Sequence, residues 1–223
     1  MSFIVAIDGP AGSGKGTITN ILANDLKLNN IDTGAMYRCI ALEVLNKNID
    51  INDIEKVKEI LNNIKIELKE TKNKQIVLLN GEDVSDKIRS NEVTSIVSPV
   101  SAIYEVRQKL TDLQRKMGKT QNIIMEGRDI TTVVFPNADV KIYLDCSEEE
   151  RANRRYKQNL EKGIECTYEE VLANIKERHK LETQRDIAPL TVAKDARYID
   201  TTHLGLQEVE DLVVSIIREK VEL

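Results

Sequence analysis

The chain is poor in the residues that hold metals and disulfides. Its 223 residues include only two histidines, His179 and His203, and three cysteines, Cys39, Cys146 and Cys166, far apart and odd in number. No paired-cysteine spacing is present, which excludes a zinc knuckle or a disulfide framework and leaves buried or incidental thiols in a reducing compartment. Two isolated histidines give no basis for His-based catalysis. No apolar run is long enough to span a membrane. The first residues read as a strand running into a glycine-rich loop, not as a signal peptide. Repeats, low-complexity tracts and flexible linkers are missing too. Positive charge is not in excess: 32 Lys and Arg stand against 37 Asp and Glu, giving a net charge of −5 and a pI near 5.3. That balance weighs against nucleic acid as a partner, but not against a small anion, because arginines can cluster locally on an acidic protein. With 41% hydrophobic and 31% charged residues, the chain can bury a real core. The expectation is one cytoplasmic α/β domain with an insertion, monomeric, with no membrane and no nucleic-acid partner.

The most informative segment is Gly9-Pro10-Ala11-Gly12-Ser13-Gly14-Lys15-Gly16-Thr17. An apolar run, Phe3 to Ile7, precedes it and reads as a buried strand; Ile18 to Leu28 comes next with apolar residues on one helical face. Strand, glycine loop and helix form the context of a phosphate-binding loop. Glycines let successive N–H groups turn inward around phosphate oxygens, and the helix adds its positive N-terminal end. Lys15 supplies a charge for the β- and γ-phosphates of ATP, and Thr17 a hydroxyl for a phosphate-bound Mg²⁺. Gly16 separates Lys15 from Thr17, an ending typical of nucleoside monophosphate kinases. A guanine-selecting Asn-Lys-x-Asp box is absent: Asn46-Lys47 runs on to Asn48-Ile49, and Asn73-Lys74 to Gln75-Ile76.

Further strands are expected at Leu28–Ile31, Asn122–Met125, Val140–Leu144 and Tyr198–Thr201, alternating with helices at Ala35–Leu45, Val93–Met117 (interrupted at Pro99), a helix from Ser147, Thr167–Gln184 and Leu206–Val221. Ser147/Glu150 and Thr167/Glu170 have capping-box spacing. This alternation implies a parallel sheet covered on both faces, with ligands beyond the carboxyl ends of its strands. Between Asn46 and Ser90 the texture changes. Ile64–Leu68 and Gln75–Leu79 alternate with period two, with hairpin turns at Thr71–Lys74 and Asn80-Gly81. This reads as a small antiparallel unit inserted into the βα scaffold.

Arginines gather near the expected strand ends: Arg38, Arg107, Arg128, Arg151, Arg154, Arg155, Arg178 and Arg185. Guanidinium is planar, permanently charged and bidentate toward phosphate. Transfer of a phosphoryl group between two polyanions needs such groups to hold the substrates in line and to spread the developing charge. A plainer reading stands beside this one. Arg151, Arg154 and Arg155 among Glu148 to Glu150, and Arg178 and Arg185 around Glu182, also suit salt-bridged, solvated helix faces. Asp129 also suits a cap on the next element, and Tyr37 reads as partly packed.

With these motifs assembled, the chain resembles the bacterial cytidylate kinase family from about residue 3 to the C-terminus. The resemblance rests on the phosphate loop, Asp32-Thr33-Gly34-Ala35-Met36-Tyr37-Arg38, Gly81-Glu82-Asp83-Val84-Ser85, Glu126-Gly127-Arg128-Asp129 and Arg185-Asp186-Ile187-Ala188-Pro189-Leu190. It implies a three-layer P-loop kinase domain over residues 1–223, with a parallel central sheet. A monophosphate-binding insertion would cover about 36–105 and a short helical lid about 150–165. The implied reaction is ATP + CMP (or dCMP) ⇌ ADP + CDP (or dCDP), with Mg²⁺. In that family the arginines matched by Arg38 and Arg128 hold the acceptor phosphate, and positions matched by Ser98, Arg107 and Asp129 read the cytosine, a set chemically suited to its amino group, ring nitrogen and carbonyl. A late Arg-x-x-x-Asp-x-x-Arg pattern handles sugar and phosphates; here it is Arg178, Glu182 and Arg185, with Glu in place of Asp. The resemblance further implies Asp32 and Thr33 beside the acceptor, Arg155 and the loop residues 9–17 on ATP, and Lys15, Arg128, Arg154 and Arg185 in catalysis. Glu126 stands where relatives can carry Asp, which leaves open a role through Mg²⁺-bound water. Two rivals remain: another small-molecule or nucleotide kinase, such as one using UMP or AMP, and a nucleotide-binding regulatory module that senses ATP without turnover.

Overall fold

The computed structural model describes residues 2–71, 75–119 and 121–221. Its chain divides into two compact units, one formed by 1–30 with 121–223 and the other by 31–120. Among the described residues no helix is long and apolar enough to cross a membrane.

The first unit is built on a five-stranded sheet. Its strands are β1 (Ile4–Asp8), β2 (Asn29–Asp32), β6 (Ile123–Gly127), β7 (Val140–Asp145) and β8 (Arg197–Asp200), in the order β2-β6-β1-β7-β8. β1 pairs in parallel with both β6 and β7, and β7 with β8. The central strands read as apolar runs because both faces are buried. On one face Val5, Ile7, Ile124, Ile142, Leu144 and Ile199 meet Ile18 and Leu22 of α1 (Lys15–Asp25) and Val209, Val213 and Ile217 of α8 (Leu206–Arg218). Ala6, Met125 and Tyr143, pointing the other way, are buried as well. Two further helices, α6 (Glu148–Glu161) and α7 (Tyr168–Gln184), pack through Ala152, Val171 and Ile175, with Tyr156 and Tyr168 edge to face. The expected boundaries of β7 and α7 hold to within a residue.

The second unit holds α2 (Thr33–Asn46), α3 (Ile54–Asn63), α4 (Asn91–Ala102) and α5 (Tyr104–Met117) with a three-stranded antiparallel sheet, β3 (Ile66–Glu70), β4 (Gln75–Leu79) and β5 (Glu82–Asp83). The Asn80-Gly81 turn is present, with φ of +52° and +90°, the two positive angles of a type I′ hairpin. The turn expected at Thr71–Lys74 lies mostly outside the described residues.

Three sequence expectations are corrected. The stretch after Asn46 contains a helix, α3, that alternation of Asp, Asn and Lys concealed. Asp53 caps it by accepting from the Lys56 amide, and Val57, Ile60 and Leu61 bury its narrow apolar stripe. The long helix breaks at Ile103, not at Pro99. Pro99 lies inside α4, while Ile103 takes an extended conformation (φ −68°, ψ 126°) that starts α5 in a new direction. At α6 only half of the anticipated capping box forms. Ser147 accepts from the Glu150 amide, but the Glu150 carboxylate turns to Arg154 and Asn153. The Thr167/Glu170 box is complete.

Candidate active site

β1 ends in Asp8, and the loop from Gly9 begins where the sheet stops. Gly9 (φ +152°) passes so close to β7 that a Cβ there would overlap the Leu144 carbonyl oxygen. Gly12 and Gly14 take φ of +84° and +89°, which turns the loop into the start of α1. The first amides of α1, at Lys15 to Thr17, have no intrahelical acceptor and suit an anion. Lys15 is buried. Its Nζ folds back on the loop and donates to the Pro10 carbonyl (2.6 Å) and Ser13 Oγ (3.2 Å). Burial, then the Arg128 guanidinium, pulls its ammonium down to about 7, with Glu126 and Glu182 acting in the opposite direction. A polyphosphate brought to this ammonium would reverse the penalty. Thr17, one turn position further, is exposed. Gly16 explains the Gly-Lys-Gly-Thr spelling, because a Cβ at this position would lie 2.9 Å from Glu126 Oε1. The glycine leaves room for a carboxylate beside Lys15 and Thr17.

Of the three arginines on α6, Arg151 departs from the solvated-face reading, while Arg154 keeps its i,i+4 pair with Glu150. Arg151 is buried under the loop, where its Nε donates to the Cys146 carbonyl (3.0 Å) and its Nη1 to that of Ala11 (3.4 Å). Only a distant contact to Glu148 (3.8 Å) remains of the expected surface pairing. Arg154 is half-buried. It bonds Glu150 through Nε (3.0 Å) and the Thr201 carbonyl through Nη2 (2.8 Å), with Nη1 3.7 Å from where a Gly14 Cβ would be. Arg154 therefore stands at the mouth of the phosphate loop. Arg155 lies on the same helix, partly exposed.

Arg128 comes directly after β6. Its Nε donates to Glu182 Oε2 (2.9 Å) and its Nη1 to the Gly127 carbonyl (3.2 Å). Arg178 Nε donates to Glu182 Oε1 (2.9 Å). Glu182 is thus no surface residue: it is buried in the last turn of α7 between two guanidinium groups. Burial by itself would raise its carboxyl, but Arg128 and Arg178 outweigh burial and hold it at about 2. The folded value lies below the ordinary value of 4.5, so the stabilisation is present above that pH and lost as pH falls toward about 2. Its full size is on the order of 3 kcal/mol. In urea titrations, the stability gap between wild type and Glu182→Gln should narrow between about pH 5 and pH 3; a constant gap would contradict the assignment.

Arg185 Nε donates to the Ala188 carbonyl (2.7 Å). Ala188 takes φ +49°, a left-handed conformation unusual for a residue with a Cβ. Asp129 does not cap the element after it. The turn Ile130–Val134 is closed by Asp8, which accepts from the Ile130 amide (2.9 Å) and from the Thr131 amide and hydroxyl (2.7 and 2.6 Å). Asp8 thereby ties the Arg128-Asp129 segment to the strand that carries the phosphate loop. Its only sequence signal is a carboxylate at the end of an apolar run; Arg151 has none, because a helix-start arginine looks the same buried or solvated.

In the second unit Asp32 caps α2 by accepting from the Ala35 amide (2.9 Å), with Arg89 3.4 Å away. Thr33 is buried. Arg38 Nη1 donates to the Ile88 carbonyl (3.1 Å) and Thr94 Oγ1 (2.9 Å). Arg107 is buried 5.4 Å over the Tyr37 ring and donates to the Ser101 carbonyl (3.0 Å), while Ser101 Oγ donates to the Ser98 carbonyl (2.8 Å). The break at Ile103 makes this elbow, bringing Arg107 back beside the turn that carries Ser98.

The fold is therefore a parallel α/β sheet with a loop built for polyphosphate, supplied with more arginines than one triphosphate requires. Residues 5–219 match the family model for cytidylate kinase. The cytidylate kinase of Caldicellulosiruptor saccharolyticus is 49% identical over 212 residues, covering 95% of this chain and 94% of that one. That of Bacillus subtilis is 44% identical over 216 residues, covering 97% and 96%. Among solved structures, an uncharacterized protein from Eubacterium ventriosum aligns with a TM-score of 0.53 at 12% identity over 97% of this chain and 99% of its own, a likeness of fold alone. A match of this extent, over the phosphate loop and both arginine-bearing motifs alike, leaves one conclusion: the chain belongs to the cytidylate kinase family.

Proposed function

We propose that the protein transfers the γ-phosphoryl group of Mg·ATP to CMP or dCMP. The observation that carries this reading is a Gly-Lys-Gly-Thr loop with a second set of guanidinium groups, Arg128 and Arg178, built into the same unit as Lys15. A chain that only senses ATP has no use for the second set. ATP lies along residues 9–17, with Arg154 and Arg155 over it. Arg38, Arg128 and Arg185 take the acceptor phosphate, with Asp32 and Thr33 beside it, and Ser98, Arg107 and Asp129 read the base. An acceptor phosphate oxygen attacks the γ-phosphorus, the bond to the β,γ-bridging oxygen breaks, and ADP leaves. The nucleophile is already anionic, so no general base is required. Lys15, the loop amides, Arg128, Arg154 and Arg185 carry the charge spread over the transferring group.

The residues present fit Mg²⁺. The Thr17 hydroxyl and the Glu126 carboxylate beside Gly16 are hard oxygen donors. Among the described residues no group of three or more His, Cys, Asp and Glu forms a metal cage. Mg²⁺ would neutralise phosphate charge there. The enzyme acts as a monomer in the cytoplasm.

The test is ADP release from Mg·ATP with CMP, dCMP, UMP, AMP and GMP in turn. Turnover should be fast with the two cytidylates and slow with the rest. Fast turnover with another acceptor would overturn the roles of Ser98, Arg107 and Asp129; ATP binding without any turnover would overturn the kinase reading.

A further inference from the structure

The turn Ile130–Val134 is held by a carboxylate from another strand. At the start of a helical turn the first N–H groups have no acceptor within the turn, and an aspartate just before them ordinarily supplies one. Asp129 stands in that place, with φ −148° and ψ 23°, but its side chain makes no bond to the amides of the turn. Its carbonyl closes the turn instead, accepting from the Val133 (2.9 Å) and Val134 (3.1 Å) amides. The capping oxygens belong to Asp8 of β1. Oδ1 accepts from the Ile130 amide (2.9 Å), and Oδ2 from the Thr131 amide (2.7 Å) and hydroxyl (2.6 Å). Both Asp8 and Thr131 are buried.

Resting on the kinase reading above, we infer that Asp8 is a positioning residue for base recognition: it caps the Ile130–Val134 turn in place of Asp129, and so keeps the Asp129 carboxylate off the amides of its own turn and sets it for the amino group of the acceptor base. Three observations support this. First, Asp8 lies opposite Gly127 in the β1–β6 ladder. The backbone pairing holds the residue before Arg128-Asp129, and the Asp8 side chain holds the two residues after it, so the segment is pinned at both ends. Second, the bonds of the Asp8 carboxylate go to this turn, whereas its pull on the Lys15 ammonium ranks below the effects of Arg128, Glu126 and Glu182. Asp8 immediately precedes the phosphate loop, yet its side chain serves the acceptor end. Third, a carboxylate can take three donors on two oxygens, and charge-assisted bonds fix the turn more firmly than a neutral cap would. The consequence lies in specificity. A carboxylate accepts from the cytosine amino group, where uracil presents a carbonyl oxygen that a carboxylate repels. A displaced Asp129 therefore costs discrimination between CMP and UMP.

The experiment measures kcat and KM for CMP, UMP and ATP in Asp8→Asn, Thr131→Val and Thr131→Ser beside wild type. Asparagine offers one acceptor oxygen and turns an NH₂ group toward a donor; valine keeps the size of threonine and deletes the hydroxyl. Asp8→Asn should lower kcat/KM for CMP by about tenfold to a hundredfold and the CMP-to-UMP ratio of kcat/KM by about fivefold or more, with KM for ATP within about twofold of wild type. Thr131→Val should move the same constants in the same direction by about threefold. Thr131→Ser, which keeps the hydroxyl, should restore them. The ratio does not depend on the fraction of folded enzyme. A ratio unchanged in both Asp8→Asn and Thr131→Val would make Asp8 a structural tie only and overturn the proposal. A rise confined to KM for ATP would also overturn it, by assigning Asp8 to the phosphate loop. If Asp8→Asn does not fold, the two Thr131 variants decide. A failure of the cytidylate reading shows separately, as wild type with no preference for CMP over UMP.

Discussion

Replacing Lys15 with methionine should lower kcat by about a thousandfold or more and leave the folded protein almost as stable as before. The loss of rate comes from the proposed role: the ammonium meets the charge that develops on the transferring group, and nothing else in the loop carries a full positive charge. The small change in stability comes from the cost of burying it. The ammonium is enclosed and is pulled down to about 7 by burial and by Arg128; its bonds to the Pro10 carbonyl and Ser13 Oγ and the attraction of Glu126, Glu182 and Asp8 offset only part of that cost. Methionine fills much of the same space without the charge, an exchange that is often neutral or stabilising at a buried ionic site. Steady-state turnover with CMP and thermal unfolding without nucleotide test the two effects. Near-wild-type kcat would remove Lys15 from the mechanism, and collapse of the fold would show that the loop needs the ammonium as a strut.

A substitution at Gly9 should do the opposite, destroying the scaffold before the chemistry. A Cβ on this residue overlaps the Leu144 carbonyl oxygen on β7 and comes within 3.2 Å of Ser13 Oγ. Neither the strand nor its carbonyl can move freely, since β1 and β7 are registered from Val5–Val140 to Asp8–Tyr143. The φ of +152° adds conformational strain. Gly9→Ala should therefore lose about 3–5 kcal/mol in urea unfolding, with loss of ATP binding. Gly163→Ala is the control. Gly163 also has positive φ (+68°), but a Cβ there meets nothing within 4 Å, so it should lose only about 1 kcal/mol. Equal losses at the two sites would mean that backbone strain, not the close approach to β7, governs Gly9.

Much of the first unit could be read before any coordinates. β1, its glycine loop and α1 are local in sequence: apolar run, glycines and helical period all lie within some 25 residues. The same holds for β4, whose period-two alternation marks its limits, Gln75–Leu79, and for the Thr167/Glu170 box at α7. α3 was hidden because only Val57, Ile60 and Leu61 of its ten residues are buried, too thin a stripe to stand out among charges. The Ile103 break left no mark, since the bend depends on where α5 packs, and Pro99 drew attention to the wrong place.

The candidate site divides along the same line. Phosphate chemistry is written locally, because a backbone cradle needs its glycines, its lysine and its helix start consecutively; that much of the protein is set by residues 4–25. What each arginine is for depends on partners far away in the chain. Arg151 beneath Ala11, Asp8 on the Ile130 and Thr131 amides, and Glu182 gripping Arg128 across 54 positions are long-range contacts. They arise only when a parallel sheet brings the ends of β1, β6 and β7 together. An arginine beside glutamates has the same sequence whether it faces water or is buried, and burial is what turns a weak surface pair into a fixed, charged component of a site.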